Sequence, residues 1–305
     1  MSLSIVVPAF NEAEGIASFL TELKAVLDML PGQYEVLIVN DGSTDETSFE
    51  IEKFDWPQAR EIQLITNSGH MAALEAGLSS SIGEYVITMD ADSQHPPRLI
   101  LQMLEIQSTT GAEVVNAVRI RGKENTFLRR HLSSVFYKFL SKITQVKIEK
   151  DAGDFRLMSR RVVDTLISLP ETTKVFRFLV SSLGFQSATI YFYAPKRKYG
   201  KSKYKISHLV KLAVGSVIGF STAPLSAIFL SGLIIFMSAV TYIIYLIINM
   251  NAGQVVPGWT SVMVALIGFS AIQIISLGII GRYIGQILVE LRKRPRYIKR
   301  DVNTK

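Results

Sequence analysis

The chain contains no cysteine, so neither a disulfide nor a thiolate metal site is open to it. Histidine is almost as scarce. His70, His95, His131 and His208 are the only four, and none falls within five residues of another, which removes the usual zinc spacings. A bound metal would have to be held mainly by oxygen. From Leu212 to Gly281 there is no Asp, Glu, Lys, Arg or His, a gap that a soluble domain rarely tolerates. Acidic residues are also unevenly spread. Residues 1–150 hold 20 Asp/Glu against 13 Lys/Arg, whereas residues 151–305 hold 6 against 20. The front half therefore resembles an ordinary acidic soluble domain, and the back half is suited to meeting something negative.

Within the uncharged stretch, Leu225–Ile248 and Trp259–Ile280 are predominantly apolar, and each exceeds the ~20 residues needed to cross a bilayer core. The loop between them is short and uncharged. The outer flanks are basic, with Lys196, Arg197, Lys198, Lys201, Lys203, Lys205 and Lys211 before the pair and Arg282, Arg292, Lys293, Arg294, Arg296, Lys299 and Arg300 after it. The positive-inside rule then puts both ends in the cytoplasm. Met1 leads straight into Leu3-Ser4-Ile5-Val6-Val7-Pro8, with no basic leader and no long apolar core, so the first domain is expected to stay cytoplasmic. Ile206–Ser221 carries apolar residues near helical spacing, which fits either an interfacial helix or an extension of the first spanning helix. The expected domains are 1–205, a cytoplasmic α/β domain; 206–223, the interfacial helix; 224–284, two spanning helices; and 285–305, a basic cytoplasmic tail.

The first 120 residues alternate β-rich runs with helical patterns. Strands are expected at Ser4–Pro8, Glu35–Val39, Glu61–Ile65, Tyr85–Met89 and Glu113–Val118, with helices near Glu12–Met29, Asp45–Lys53, Gly69–Ser80 and Pro97–Ser108. This alternation predicts an α/β fold with a mostly parallel, Rossmann-like central sheet. Ligands of such sheets bind at the carboxyl ends of the strands. Polar clusters fall at four such ends: Asn11-Glu12, Asn40-Asp41-Gly42-Ser43-Thr44-Asp45, Asn67-Ser68-Gly69-His70, and Asp90-Ala91-Asp92-Ser93-Gln94-His95. Asp45 is equally suited to capping the helix that follows it. Asp90 and Asp92 leave a buried strand one residue apart, and two such carboxylates repel unless a cation joins them. Oxygen ligands suit Mg²⁺ or Mn²⁺, which also bind diphosphates.

The segments Val6-Val7-Pro8-Ala9-Phe10-Asn11-Glu12, Val39-Asn40-Asp41-Gly42-Ser43-Thr44-Asp45 and Met89-Asp90-Ala91-Asp92-Ser93-Gln94 resemble the family 2 glycosyltransferases of GT-A fold. Within that family, Ala152-Gly153-Asp154-Phe155-Arg156-Leu157-Met158-Ser159-Arg160, Tyr199-Gly200-Lys201-Ser202-Lys203-Tyr204 and the two apolar stretches are similar to the group that loads sugars onto polyprenyl phosphates, the bactoprenol glucosyltransferases and dolichol-phosphate mannose synthases. The resemblance implies that Pro8, Phe10, Glu12 and Asp41, with Asp90, line the nucleotide-sugar pocket. It implies that Asp90, Asp92 and Gln94 hold Mg²⁺ or Mn²⁺, and that Asp92 and Asp154 are catalytic. Arg197, Lys201 and Lys203 would meet the lipid phosphate. The family places an arginine before Asn67 and a lysine or glutamine after Gly69 in many members; His70 departs from that pattern, and no role is carried over to it.

The implied reaction is inverting transfer of a hexose, glucose from UDP-glucose in the first instance and mannose from GDP-mannose in the second. The acceptor would be a polyprenyl phosphate such as undecaprenyl phosphate, in the inner membrane. A phosphate acceptor is mostly dianionic at pH 7, since its second pKa is ~6, so Asp154 can serve either as base or as positioner. Arg119, Arg121, Arg129 and Arg130 suit phosphate but equally a basic loop facing an anionic leaflet, and Arg119 and Arg129 join the candidate lipid-phosphate set. The Lys196–Lys205 run is open to the same two readings, at about 1 kcal/mol per cation near an anionic surface. Two rivals are a processive polysaccharide synthase, whose Gln-x-x-Arg-Trp motif neither Trp56 nor Trp259 completes, and a non-catalytic membrane scaffold. Nucleic acid is not an expected partner because the basic residues flank the apolar stretches. Membrane lipids are, and the resemblance implies a homo-oligomer.

Overall fold

A computed structural model describes residues 2–92, 94–120, 152–171, 174–193, 223–251 and 258–300. Those up to 193, together with those from Arg294 on, form one compact unit, and those from 223 to Lys293 form a second. The first unit is an α/β domain. Its strands are β1 (Ser2–Ala9), β2 (Gln33–Asn40), β3 (Ala59–Gln63), β4 (Tyr85–Thr88), β5 (Val114–Arg119), β6 (Ala152–Ser159) and β7 (Ser187–Phe192). They make one seven-stranded sheet in the order β3-β2-β1-β4-β6-β5-β7. Only β6 runs against its neighbours β4 and β5; the other pairings are parallel.

The central strands read as unbroken apolar runs because helices cover both faces of the sheet. Ile5, Val6 and Val7 of β1 and Val36 to Val39 of β2 are fully buried. Proline is rare inside a sheet because it lacks an N–H, yet Pro8 sits in β1. The register explains it. Val6 offers its carbonyl to Met89 N at 3.1 Å, so Pro8, two residues on, faces the same side, just beyond the last β1–β4 pair, Val6 with Thr88. No ladder bond is lost there.

Helices α1 (Ile16–Leu27), α2 (Thr47–Lys53), α3 (His70–Leu78) and α4 (Leu99–Thr110) fall between the strands as expected. Helix α1 buries Ile16, Phe19, Leu20, Leu23 and Leu27, one stripe of a 3.6-residue period. It starts later than Glu12, after the left-handed Asn11 (φ 53°) and a turn whose amides at Asn11, Glu12 and Ala13 are bonded to Ser43, Thr47 and Asp45. Helix α3 passes close over β1 and β2: a Cβ on Gly77 would lie 2.3 Å from a methyl of Val6. Helices α5 (Arg160–Ser168) and α6 (Phe176–Ser182) follow β6.

The second unit contains α7 (Ala223–Asn251) and α8 (Trp259–Arg292). Within the described residues, Gly268–Arg292 is long and apolar enough to cross a membrane, and a shorter apolar stretch covers Ile228–Tyr242. Side chains such as Phe229, Phe236, Phe269 and Ile274 lie exposed on these helices. Helix α8 runs on to Arg292, past the expected end at Ile280. The expected interfacial helix at 206–223 and the basic run at 196–205 lie almost entirely outside the described residues.

Candidate active site

The four polar clusters meet at the carboxyl edge of the sheet and are laced to one another. Asn11 takes a left-handed conformation, φ 53°. Its Oδ1 accepts from Thr44 N at 2.9 Å, while its own N–H donates to Ser43 Oγ at 3.0 Å. Asp45 accepts from Ala13 N at 3.2 Å and from Thr47 N at 3.1 Å, so it both ties the β1 loop and satisfies an amide at the start of α2. These bonds outweigh its partial burial and hold its carboxyl below the usual range.

The β2 loop is joined to the β3 loop through Asp41. Its Oδ1 accepts from Ser68 N at 2.7 Å and its Oδ2 from Gly69 N at 2.9 Å. Asp41 is only 3% exposed, and burial raises its pKa despite these two bonds. Gly42 is required beside it. Its φ is +66°, and a Cβ there would sit 2.6 Å from the backbone carbonyl carbon of Thr66. Pro8 is buried at the start of this edge, and Phe10 and Glu12 are partly exposed on the loop beyond it. The carbonyl of Glu12 accepts from Gly15 N and Ile16 N and so opens α1.

The acidic centre lies after β4. Asp90 and Asp92 are both partly exposed. Asp92 Oδ1 accepts from Gln94 N at 3.0 Å, a turn that folds Gln94 back towards the pair. The Gln94 Oε1 accepts from Arg119 at 3.1 Å, which places Arg119, expected at the lipid phosphate, beside the candidate metal ligands. Arg129, Arg197, Lys201 and Lys203 lie outside the described residues. Among the described residues, no three His, Asp or Glu side chains gather into an all-protein metal cage. Two partly exposed carboxylates fit a Mg²⁺ or Mn²⁺ that keeps waters and binds substrate oxygens.

Asp154 comes from β6, the antiparallel strand, and is 8% exposed. Thr88 Oγ1 donates to its carbonyl across the β4–β6 pair. Its Oδ2 lies 3.2 Å from His70 Nε2 and 3.9 Å from Arg177, and its Oδ1 lies 3.7 Å from the buried Arg156. Burial alone would raise the pKa of this carboxyl. The His70 hydrogen bond and the charges of Arg156 and Arg177 outweigh burial, so the group stays ionised well below the usual carboxylate range. Its Oδ1 has no hydrogen-bond partner among the described residues.

Two histidines complete the centre, and sequence reasoning gave neither a role. His70, the first residue of α3, also reaches to 3.7 Å from Asp90 Oδ1. Burial lowers its pKa, but Asp154 and Asp90 raise it further, for a net upward shift. His95 Nδ1 accepts from Asp90 N at 2.9 Å, so the proton of the neutral ring sits on Nε2. The His95 ring stacks on Phe155 at 4.9 Å and meets the Phe192 edge at 6.2 Å. Their signal in the sequence was position alone: each closes one of the four clusters. Arg156 stood within the Ala152–Arg160 motif without a role of its own, and Arg177 lacked even that.

The family model described as glycosyl transferase family 2 matches residues 4–167. The uncharacterized glycosyltransferase YkcC of Bacillus subtilis is 37% identical over 298 residues, covering 97% of this chain and 92% of its own. The bactoprenol glucosyl transferase of Shigella phage SfV is 34% identical over 308 residues and covers 100% of both chains. Among solved structures, mannosyl-3-phosphoglycerate synthase from Rubrobacter xylanophilus shares the fold, with a TM-score of 0.53 and 19% identity over 71% of this chain and 72% of that one.

Proposed function

The chain belongs to glycosyl transferase family 2, and from that premise we propose that it moves a hexose from a nucleoside diphosphate onto a polyprenyl phosphate, with inversion at the anomeric carbon. Glucose from UDP-glucose is the donor we favour, because relatives at 34% identity over nearly the whole chain are named bactoprenol glucosyl transferases. Mannose from GDP-mannose is the second candidate. The α7 and α8 helices would both span the inner membrane, with the catalytic domain on the cytoplasmic side, where the basic flanks favour it.

The observation that carries this reading is the setting of Asp154, whose carboxylate lies 3.2 Å from His70, 3.7 Å from Arg156 and 3.9 Å from Arg177. A carboxylate held ionised by His70, Arg156 and Arg177 is a poor proton acceptor, since general bases work best with a pKa near the operating pH. A sugar hydroxyl as acceptor would need such a base. A phosphate monoester, already largely dianionic at neutral pH, would not. Asp154 therefore acts as a positioner, fixing His70 and the Arg156 and Arg177 guanidiniums at the edge of the donor site.

The remaining roles are those that the family resemblance implies. Pro8, Phe10, Glu12 and Asp41 would form the wall that receives the base and ribose. Asp90 and Asp92, with Gln94 beside them, would hold Mg²⁺ or Mn²⁺ against the diphosphate. When bound, that ion neutralises charge on the departing nucleoside diphosphate. Arg119 at Gln94 and the partly exposed Arg177 add positive charge on either side of the acidic centre, where two anionic substrates have to approach each other.

The test is transfer itself. Purified full-length protein is given polyprenyl phosphate, Mg²⁺ or Mn²⁺, and a panel of radiolabelled nucleotide sugars, and label is counted in the lipid phase. One donor labels the lipid, and chelator or Asp92→Asn lowers the signal by at least about a hundredfold. Absence of lipid label from every donor, in folded protein that still binds nucleotide, would overturn the acceptor assignment.

A further inference from the structure

After α8 the chain does not trail away. Lys293 turns out of the helix at φ 46°, and Pro295 follows, a residue that cannot continue a helix. The next residues join the catalytic unit. Ile65 N donates to Ile298 O at 3.0 Å and Arg300 N donates to Gln63 O at 2.8 Å, with Leu64 and Lys299 paired antiparallel between them. The segment thus covers the open edge of the sheet just past β3. Side chains fasten it to α3 as well. Tyr297 OH lies 3.0 Å from Ser79 Oγ, and Lys299 Nζ donates to Ser80 Oγ at 2.6 Å. Arg296 lies 3.7 Å from Glu75, whose other oxygen is 3.1 Å from the buried Lys174.

These attachments bracket one loop. Residues 63–65 enter it and α3 leaves it. Between them, Ser68 and Gly69 give their amides to Asp41, and His70 reaches Asp154 and Asp90. A loop whose entering residues and following helix are both bonded to one added segment has fewer conformations in which those amides point elsewhere. An isolated basic tail on a membrane surface would need none of these bonds, and the partial burial of Arg296 beside Glu75 is not what a solvated charge run does.

We propose that Arg296–Arg300 is a positioning clasp for the donor site: by adding to the sheet edge and gripping α3, it holds the Thr66–His70 loop so that Asp41 and His70 keep their places for the nucleotide sugar. The segment leads directly on from α8 and is hydrogen-bonded to the residues that enter the donor loop. The inference rests on the assignment of Asp41 to the nucleotide pocket. It does not depend on which acceptor is used.

Two variants of the full-length protein test it. Arg300→Pro deletes the N–H given to Gln63 O, and Tyr297→Phe combined with Lys299→Met removes the grip on Ser79 and Ser80. Lys299→Arg, which keeps a cationic donor there, serves as the rescue of the second. Hydrogen exchange is read at the Ser68 and Gly69 amides, and nucleoside diphosphate binding and steady-state rates are measured alongside. Exchange at these amides should quicken by about tenfold, and the KM for donor should rise about fivefold, the loss of one ordinary hydrogen bond. The acceptor KM should hold within about twofold, as for sites that do not share partners. Unchanged exchange at Ser68 and Gly69, in folded variants whose Ile65 amide has become exposed, would overturn the clasp. An equal fall in all kinetic parameters with no local change in exchange would do the same. A protein that transfers nothing to polyprenyl phosphate, yet shows the exchange and nucleotide-binding changes, would refute the acceptor assignment and leave the clasp standing.

Discussion

His70 Nε2 lies 3.2 Å from Asp154 Oδ2. The contact joins the start of α3 to the antiparallel strand β6, two elements far apart in sequence, and the same ring stands 3.7 Å from Asp90. One imidazole thereby spans the acid that would hold a metal and the acid that would act as positioner.

The raised pKa of His70 gives this contact a pH signature. A histidine whose folded pKa exceeds its unfolded value of 6.5 stabilises the fold fully below that value, and the contribution fades as pH rises through the folded pKa. The stability gap between wild type and His70→Gln, measured by urea unfolding without added metal, should therefore be largest below pH 6.5 and should narrow on the alkaline side. A gap that widens with pH would contradict the ion pair.

Asp154→Asn removes the counter-charge of a buried guanidinium. Arg156 is 2% exposed, and breaking a buried pair from one side costs about 3–5 kcal/mol. The midpoint of urea unfolding should fall accordingly, with transfer lost. Wild-type stability and full activity in this variant would show that Arg156 does not depend on Asp154.

The Asp41 clasp on Ser68 and Gly69 can be weakened without changing shape. In Asp41→Asn one amide N–H would face an NH₂ instead of an oxygen, a loss of about 1–3 kcal/mol. Donor KM should rise while acceptor KM changes little, as read from initial rates at varied nucleotide sugar. Gly42→Ala attacks the same junction from the backbone. Its φ of +66° and the 2.6 Å approach to Thr66 predict a destabilisation of at least about 1–2 kcal/mol from the left-handed conformation alone, seen as a lowered Tm.

Asp92→Asn should reduce kcat by at least about a hundredfold, because the ion that these residues would hold supplies several kcal/mol at the leaving diphosphate. The Mn²⁺ concentration giving half-maximal rate should rise as well. An unchanged metal dependence would remove Asp92 from the metal set.

Much of the first half of the α/β domain is legible in the sequence alone. Strands such as Ser4–Pro8 and Tyr85–Met89 are continuous apolar runs that end in polar clusters, so both the burial and the functional edge are written locally. The β6 strand was not legible as a strand from its pattern. Asp154 and Arg156 look like solvated charges in the sequence, and they are buried only because His70, Arg177 and each other supply partners across the fold. The C-terminal segment misleads in the same way. Arg294-Pro295-Arg296-Tyr297-Ile298-Lys299-Arg300 reads as a basic tail, since neither the open edge after β3 nor Glu75 can be seen from within it. The β3 pattern, expected to run to Ile65, mixes two pairings. Residues to Gln63 pair with β2, whereas Leu64 and Ile65 meet the returning segment.

The most direct test of the central claim compares two acceptors that differ by one group. With a single labelled donor and Mn²⁺, the rate of transfer to polyprenyl phosphate is measured against that to the matching polyprenol, across pH. Transfer should occur to the phosphate alone, with kcat/KM rising through about pH 6 as the acceptor becomes dianionic and then levelling. Transfer to the free alcohol, or a rate limb that disappears in Asp154→Asn while slower transfer persists, would contradict it, because Asp154 would then be working as a base.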